Sequence, residues 1–399
     1  MLPRTYRTLL STPGVGTLLA ASLAARLPTE MAMIALSFWT HDVAGTFAWS
    51  GLVIGAYTAG IVVAAPLLGR IADRYGPARV VLPCGAAWAV GYAALAVLPA
   101  SVWWLAFALA AIAGAVTPPV GPTVRATWPR LVGRDALRTA YSLEATVQEL
   151  MFAVGPLLAA VLVSFVGSRG ALLGCGVVAL VGTWWFGSRR PLRALRGLDR
   201  APAGAGPRLL VHRARLGLVL GMVLMIAAFA AAELGMIAYA EHAGQRWLSG
   251  VLGLVWSLGS FAGGLVAGAA LTHGRAAPWR RVGLVAVGFV GCALVSNVWW
   301  LGALLVLAGA MIAPSMAAIN ERMGELAPSA ARTEAFAWMS AAGMAGGGIG
   351  AAVAGTLVAA YGSAAGFVLA VGLCVLAALV LVPAGRTLAS TAVECGQPA

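Results

Sequence analysis

The sequence predicts an all-α integral membrane protein with 12 transmembrane helices in two pseudo-symmetric six-helix bundles. Of its 399 residues 61% are hydrophobic and only 10% are charged, whereas about a quarter of the residues in a globular protein are charged. Twelve apolar stretches are long enough to cross a bilayer, and motifs in the first six return in the last six. Together these observations exclude a large soluble domain.

A membrane-spanning helix needs about 20 mostly apolar residues. Stretches of this kind lie on both sides of an arginine-rich break, six before it and six after it. They fall near residues 16–38, 49–71, 79–98, 101–124, 139–166, 169–187, 216–240, 247–271, 281–297, 299–320, 333–360 and 363–384. We read the first of them as a retained helix rather than a signal peptide. The chain therefore divides into an N-terminal bundle (1–188), a linker (189–215), and a C-terminal bundle with a short tail (216–399).

The break holds eight arginines and three prolines between Ser188 and Arg215. This segment is too polar to cross a membrane and lacks the apolar periodicity of a domain. Two readings stay open for it, a flexible linker and a short amphipathic helix on the anionic inner leaflet.

The arginines predict the orientation. The net charge is +13 and all 26 basic residues are arginine, yet they lie in short loops between apolar spans rather than on one nucleic-acid-binding face. Most fall on the side that also carries the N-terminus, the break and the C-terminus, and cytoplasmic loops are the arginine-rich ones. We therefore expect a multi-pass protein of the plasma (inner) membrane with both termini cytoplasmic, and no nucleic-acid partner.

The two halves repeat each other at several points, which indicates an internal duplication. The segment around Glu30 in span 1 corresponds to the one around Glu233 in span 7. Gly69 near the end of span 2 corresponds to Gly268 near the end of span 8, with Thr272 in the place of Asp73.

The loop between spans 2 and 3 places an acid, three arginines and two glycines between two membrane-length helices. It resembles the loop of the major facilitator superfamily with the pattern Gly-x-x-x-Asp-Arg-x-Gly-x-Arg-Arg. Ala78 stands where that family has the first of its paired arginines. The matching residues are Gly69, Asp73, Arg74, Gly76 and Arg79.

The resemblance covers essentially the whole chain and implies a transporter rather than an enzyme. It implies a small-molecule substrate held between the two bundles near the membrane midplane, and protons as a second partner. The lipid bilayer is the surrounding partner, and we expect a monomer without a cofactor or metal.

Charged side chains inside the bilayer are costly and tend to face a cavity or the bundle interior. The deep candidates for proton coupling or substrate binding are Arg26, Glu30, Glu149 and Glu233. Arg26 and Glu30 are four residues apart and can pair on one helix face. This pair is either a neutralised structural element or a carboxylate tuned by its arginine, and its match to Glu233 across the two halves favours the second reading.

Span 5 carries Glu144 near its cytoplasmic end, where we expect it to be solvated. Further along, Gly155-Pro156 resembles the helix-kinking motif of proton-linked antiporters, although Met151 and Ala159-Ala160 depart from that pattern. The likeness is therefore partial.

A cytoplasmic gate is expected around Asp73, whose carboxylate can accept hydrogen bonds at the N-terminus of span 11, near Arg332-Thr333. Arg125 is assigned to the same gate. A solvated loop acid is the alternative for Asp73.

Aromatic and sulfur-containing side chains on the expected cavity helices can form an adaptable apolar pocket. The residues assigned to it are Met33, Phe38, Tyr57, Met236, Tyr239 and Trp256. The sequence thus favours a proton-coupled exporter of small hydrophobic or cationic compounds that works by alternating access. A proton-linked or facilitative importer of a metabolite and a non-transporting receptor or scaffold are the alternatives.

Overall fold

The structure is a computed structural model that describes residues 4–45, 49–189, 192, 211–245, 247–269, 277–295 and 297–394. Regular structure in these residues is entirely helical, as predicted. Most of the predicted linker (189–215) and the end of the predicted tail lie outside the described residues.

The helices before the break share short connections, several of them a few residues long. They are α1 (Arg4–Ser11), α2 (Val15–Ala44), α3 (Ser50–Tyr75), α4 (Pro77–Val97), α5 (Ala106–Ala115), α6 (Val120–Leu131) and α7 (Arg134–Gly187). The helices after the break follow the same plan. They are α8 (Arg213–His242), α9 (Trp247–Ala269), α10 (Pro278–Leu294), α11 (Val298–Gly309), α12 (Ile312–Leu326), α13 (Arg332–Tyr361) and α14 (Ser363–Glu394).

Ten helical stretches in the described residues are long and apolar enough to cross a membrane, which agrees with a multi-pass membrane protein. The longest, in α7, is divided at Gly167, whose φ of 73° and ψ of 173° are not helical. Glycine adopts a positive φ without the strain of a Cβ, so one residue suffices to turn the chain between the two parts of α7.

The predicted spans 101–124 and 299–320 are each divided in two in the structure, and both were predicted as single helices. The first is interrupted between α5 and α6 and the second between α11 and α12. Proline lacks the N–H that continues a helix, and the second part of each pair has a proline at or near its start, Pro119 and Pro314.

The sequence reading also passed over α1, a helix of eight residues. Its Tyr6 and Leu9 are buried, three residues apart on one face. Through this face α1 packs against α2, α7 and α9.

Packing within each half is extensive. In the first half α2 and α4 lie on α7, and α3 lies on α5; in the second half α8 lies on α13 and α14, and α10 lies on α14. The most extensive contacts between the halves are those of α3 with α13, α9 with α7, α12 with α7, and α6 with α13. We call the end where α3, α6, α9 and α12 finish and α7 and α13 begin the closed end.

Candidate functional site

The crossing of α3 and α13 at the closed end depends on Gly69. A Cβ at Gly69 would lie 2.8 Å from the Cβ of Ala337 and 2.9 Å from the Cα of Glu334. Because this space is already filled, the two helices can approach closely only with glycine at this position.

Asp73, one turn after Gly69, caps the start of α13. Its Oδ1 accepts a hydrogen bond from the backbone N–H of Thr333 at 3.1 Å, and its Oδ2 accepts one from Glu334 at 2.8 Å. These donors have no partner inside the helix, and the positive end of the helix dipole favours a carboxylate there. The contact expected from the sequence is therefore present, while its role as a gate stays a prediction.

Glu334 adds an ion pair to the same crossing. The Nη2 of Arg70 donates to its Oε1 at 2.9 Å, and the Glu334 side chain is buried. The sequence reading included Arg70 in the loop but missed this partner, because Glu334 is distant in sequence and belongs to the other half.

The remaining motif residues have different positions. Arg74 and Arg79 are exposed, and the Arg74 guanidinium lies 5.3 Å from the centre of the Tyr75 ring. Gly76 joins α3 to α4 with a φ of 92°, which favours glycine.

The crossing of α9 and α7 uses hydroxyl groups. Thr139 Oγ1 donates to the carbonyl of Gly268 at 2.9 Å, and Ser142 Oγ donates to that of Gly264 at 2.8 Å. The Tyr6 hydroxyl lies 3.1 Å from the Gly264 carbonyl and 3.0 Å from that of Leu265. These contacts hold α9 against both α1 and α7.

A buried charged cluster lies between these crossings. Glu144 is 2% exposed, so the expectation that it is solvated was wrong. Its Oε1 accepts from Arg125 Nε at 3.0 Å and from Arg26 Nη1 at 3.5 Å, and its Oε2 accepts from Trp128 Nε1 at 3.1 Å. Buried carboxylates need such partners, since a charge without them is costly in a low dielectric.

Arg125 and Arg26 both pair with Glu144 in this cluster. Arg125 also reaches Ser340 on α13, with 3.5 Å between Nη1 and Oγ, and its role in the gate with Asp73 stays a prediction. Arg26 was expected to pair with Glu30. Within the described part of the chain its ion pair is with Glu144 instead, because α7 brings that carboxylate up to α2.

Glu30 is half-buried on α2, beside α7. Its Oε1 lies 3.5 Å from the amide Nε2 of Gln148. A Cβ on Gly155 would lie 3.4 Å from the Glu30 Cα and even closer to its Cβ, so Gly155 lets α7 pass directly over Glu30. The structure thus gives Gly155 a packing role, and a kink at Gly155-Pro156 stays a prediction.

The structure shows less about the surroundings of the two other predicted carboxylates. Glu233 lies on α8 and is exposed. The side chain of Glu149 lies outside the described residues. Helices α2 and α8 each pack on helices of their own half, and an opposition of Glu30 and Glu233 across a cavity stays a prediction.

The predicted pocket residues fall into three groups by exposure. Met33 and Phe38 are exposed, at 50% and 38%. Tyr57 and Met236 are both 2% exposed, so neither lines an open space in this structure, contrary to the prediction.

Tyr57 is buried because it belongs to a hydrogen-bonded aromatic group. Its hydroxyl lies 2.9 Å from that of Tyr92 and accepts from Trp88 Nε1 at 3.2 Å. Partly buried Trp256 packs between Phe229 and Phe289, at ring-centre distances of 5.9 and 6.3 Å. Tyr239 is also partly buried. Metal binding has no support in the described residues, where no group of three or more His, Cys, Asp and Glu side chains is placed to hold an ion.

Apolar helices of membrane length, joined by short turns and by specific contacts between two halves at one end, define a multi-pass membrane protein of the transporter class. The chain belongs to the Major Facilitator Superfamily, whose sequence pattern matches residues 18–294. This confirms the resemblance seen in the loop after span 2. Members of this superfamily are transporters and not enzymes.

Individual proteins support the same assignment. An uncharacterized MFS-type transporter of Sinorhizobium fredii, y4rN, is 27% identical over 351 residues, which cover 77% of this chain and 80% of the relative. The structure of a bacterial homologue of the iron transporter ferroportin, in an outward-facing state, has a TM-score of 0.75 at 14% identity and covers 92% of this chain and 98% of its own.

Two further structures are similar in fold. The human organic anion transporter MFSD10 has a TM-score of 0.66 at 18% identity, with 95% of this chain and 100% of that chain covered. The transporter FucP in the outward conformation has a TM-score of 0.70 at 14% identity, with 93% and 97% covered. At these identities the likeness shows the shared fold.

Proposed function

We propose that this chain is a proton-coupled secondary active transporter that exports small hydrophobic or cationic compounds by alternating access. It works as a monomer in the inner membrane, with both termini in the cytoplasm. The substrate site lies between two pseudo-symmetric six-helix bundles, at the level of Glu30 and Glu233.

The count of twelve spans is supported by the helices themselves. To the ten stretches of membrane length in the described residues, Gly167 adds one by dividing α7, and the 17-residue helix Pro278–Leu294 adds another, so that the number of spans becomes twelve. The break between α7 and α8 then separates six spans from six.

The orientation is supported by the arginines at the closed end. Arg70, Arg74, Arg79 and Arg130 all lie there, at the ends of α3 and α6 and the start of α4, and arginine-rich loops stay in the cytoplasm. With this orientation, the contacts formed between the halves are the cytoplasmic ones, as an outward-facing state requires. Alternating access requires those contacts to break while contacts at the opposite end form.

The observation that carries the proposal is the environment of Glu30. The group beside this half-buried carboxylate is the neutral amide of Gln148, while the nearby Arg26 forms an ion pair with Glu144. A carboxylate in a membrane protein that is not neutralised by an ion pair can bind a proton or a cation in turn. Competition of the two at one site gives exchange, and Glu233 in the other half offers a second carboxylate for the same purpose.

The test is transport by the purified protein in proteoliposomes with an acidic lumen, with ethidium as a hydrophobic cationic probe. We expect the pH gradient to drive ethidium uptake in exchange for protons. Glu233→Gln and Glu30→Gln should reduce the rate to that seen without a gradient. Glu241→Gln is the matched control, because it makes the same change on α8 near the end of the helix, and it should leave the rate unchanged.

The alternatives give different results. Ethidium that moves in the same direction as protons would indicate an importer rather than an exporter. Exchange of the anionic dye fluorescein but not of ethidium would contradict the cationic substrate class. If both neutral variants keep gradient-driven uptake, the proton site is elsewhere or transport is not coupled to protons.

A further inference from the structure

The carboxylate of Glu144 competes with that of Glu30 for one guanidinium, that of Arg26. We propose that Glu144 is a positioning residue: by pairing with Arg26 it keeps this guanidinium off Glu30, and so leaves Glu30 able to exchange protons and cationic substrate. The inference rests on the proposed function for the role of Glu30, but the position of Arg26 can be tested without transport.

Sequence spacing alone would give the opposite pairing. Arg26 and Glu30 are one helical turn apart on α2, the separation at which oppositely charged side chains pair. In the structure Arg26 Nη1 instead lies 3.5 Å from Oε1 of Glu144, which α7 contributes. Arg26 thus has two possible partners, and the packing of α7 on α2 selects Glu144.

Glu144 is held much more firmly than Glu30. Its side chain is buried, and its two oxygens accept hydrogen bonds from Arg26, Arg125 and Trp128. These charged and polar donors fix the position of the buried Glu144 carboxylate. Glu30 has the amide of Gln148 at 3.5 Å and is half-buried.

The groups around these two carboxylates come from three helices. Arg26 shares α2 with Glu30, while α7 provides Glu144 and Gln148, and α6 provides Arg125. Gly121 of α6 also lies against the Arg26 guanidinium, since a Cβ there would be 3.6 Å from its Cζ. The two arginines and Glu144 together carry a charge of +1, so among the described residues Glu30 is in a favourable field without a direct ion pair.

Loss of the Glu144 charge should redirect Arg26. In Glu144→Gln the two guanidinium groups would face each other without a carboxylate, and the nearest remaining one for Arg26 is Glu30. The new pair would hold Glu30 ionised and occupied. Removing Arg26 as well should release Glu30 again, because the competing cation is then gone.

The experiment is labelling of Glu30 with dicyclohexylcarbodiimide, which modifies protonated carboxyl groups in apolar surroundings. The purified full-length protein is labelled in detergent at pH 7, and the modified peptides are quantified by mass spectrometry. We expect Glu30 labelling to fall about tenfold or more in Glu144→Gln, because an opposite charge at hydrogen-bonding distance changes a protonation equilibrium by at least that factor. The double variant Glu144→Gln/Arg26→Gln should return to the labelling of the native protein.

Two internal comparisons separate positioning from general damage. Trp128→Phe removes one donor to Glu144 without changing any charge, and Glu30 labelling should stay unchanged. Glu233 lies in the other half, so its labelling should be the same in every variant. If Glu144→Gln does not fold, Glu144→Asp serves instead: its shorter side chain should lose Arg26 before Arg125, with a smaller fall in labelling.

Several outcomes would overturn the inference. The first is that Glu30 is not labelled in the native protein. The second is that Glu30 labelling is unchanged in folded Glu144→Gln or Glu144→Asp. The third is that Glu30 in the double variant is as unreactive as in Glu144→Gln. Failure of the proposed function looks different, because labelling would respond as expected while ethidium flux ignored the pH gradient. If the pH gradient drives ethidium flux but Glu30 labelling does not respond to Glu144→Gln, the positioning role of Glu144 is contradicted while the proposed function stands.

Discussion

The two helix crossings at the closed end, α3 with α13 and α9 with α7, both pack around a glycine but are completed by different polar groups. Gly69 on α3 and its counterpart Gly268 on α9 each allow a partner helix from the other half to come close. The first crossing is completed by charged groups, Asp73 at the start of α13 and the ion pair of Arg70 with Glu334. The second is completed by neutral hydroxyl groups, among them Thr139 and Tyr6.

The difference shows how a duplicated chain can become asymmetric without losing its duplicated packing. Where the first half has Asp73, the sequence of the second half has Thr272. Hydrogen bonds to a charged group contribute about 1.5–3 kcal/mol, and those between neutral groups about 0.5–1.5 kcal/mol. We therefore expect the α3–α13 crossing to contribute most to keeping this end closed, with the α9–α7 crossing as the weaker and more easily broken contact.

The largest expected effect comes from filling the glycines. Gly69→Val should open the closed end more than Gly268→Val, because the atoms in the way at Gly69 include backbone of α13, whereas the nearest atom at Gly268 is the movable hydroxyl of Tyr6. Overpacking costs about 1–3 kcal/mol, which corresponds to about a 5- to 140-fold population change for Gly69→Val.

The readout is the reaction rate of Thr127→Cys with a membrane-impermeant maleimide, in a protein whose five native cysteines are replaced. Thr127 is 1% exposed and lines a cleft beside Asp73 and Thr333, so this cysteine should react only when the closed end opens. Equal rates for the two valine variants would show that the crossings are equivalent.

A smaller effect is expected from removing the polar contacts. Asp73→Asn keeps the shape but loses the charge that favours the helix N-terminus, and should increase maleimide labelling by about tenfold, or roughly 1.4 kcal/mol. Thr139→Val loses one neutral hydrogen bond and should increase it about threefold. Substrate turnover should fall more than substrate binding in Asp73→Asn. A stronger effect from Thr139→Val would reverse the order of the two crossings.

The smallest effect is expected for Tyr6→Phe, which removes only a hydroxyl group, and whose acceptors Gly264 and Leu265 lie inside α9. Labelling should increase about twofold or less. The same variant should make Gly268→Ala less harmful, since the hydroxyl is the nearest atom to the added methyl group, although the ring carbon Cζ still lies 2.8 Å away. If Gly268→Ala is equally harmful with and without Tyr6→Phe, the packing of Ser142 rather than Tyr6 limits this crossing.

Hydropathy was sufficient to predict where most of the long helices lie, because the bilayer imposes a length and a composition on every span. The Asp73 contact was also predictable, since its loop motif comes at a fixed place in the order of spans. The helix α1 escaped notice because its eight residues are too few for a span. The interruptions between α5 and α6 and between α11 and α12 lie within continuous apolar runs, and Pro118-Pro119 was the available signal for the first.

The partner of Arg26 could not be predicted in the same way. The spacing to Glu30 is a property of one helix, whereas the ion pair with Glu144 depends on how closely α7 approaches α2. That approach depends on Gly155 of α7, which lies directly against Glu30 of α2. The distance between two helices depends on tertiary packing, which cannot be predicted from a single sequence.

The joint between α3 and α4 consists of Gly76 alone, followed by Pro77 at the first helical position. Proline fixes its own φ, and the backbone of Gly76 is already in a region that few other residues adopt, so this joint has little slack. The two helices α3 and α4 therefore move together as a rigid unit. A pull on Asp73 by α13 would be transmitted along α4 to the part of α7 after Gly167, on which α4 packs. Strain at the closed end would thus spread through the first half without any flexible loop to absorb it.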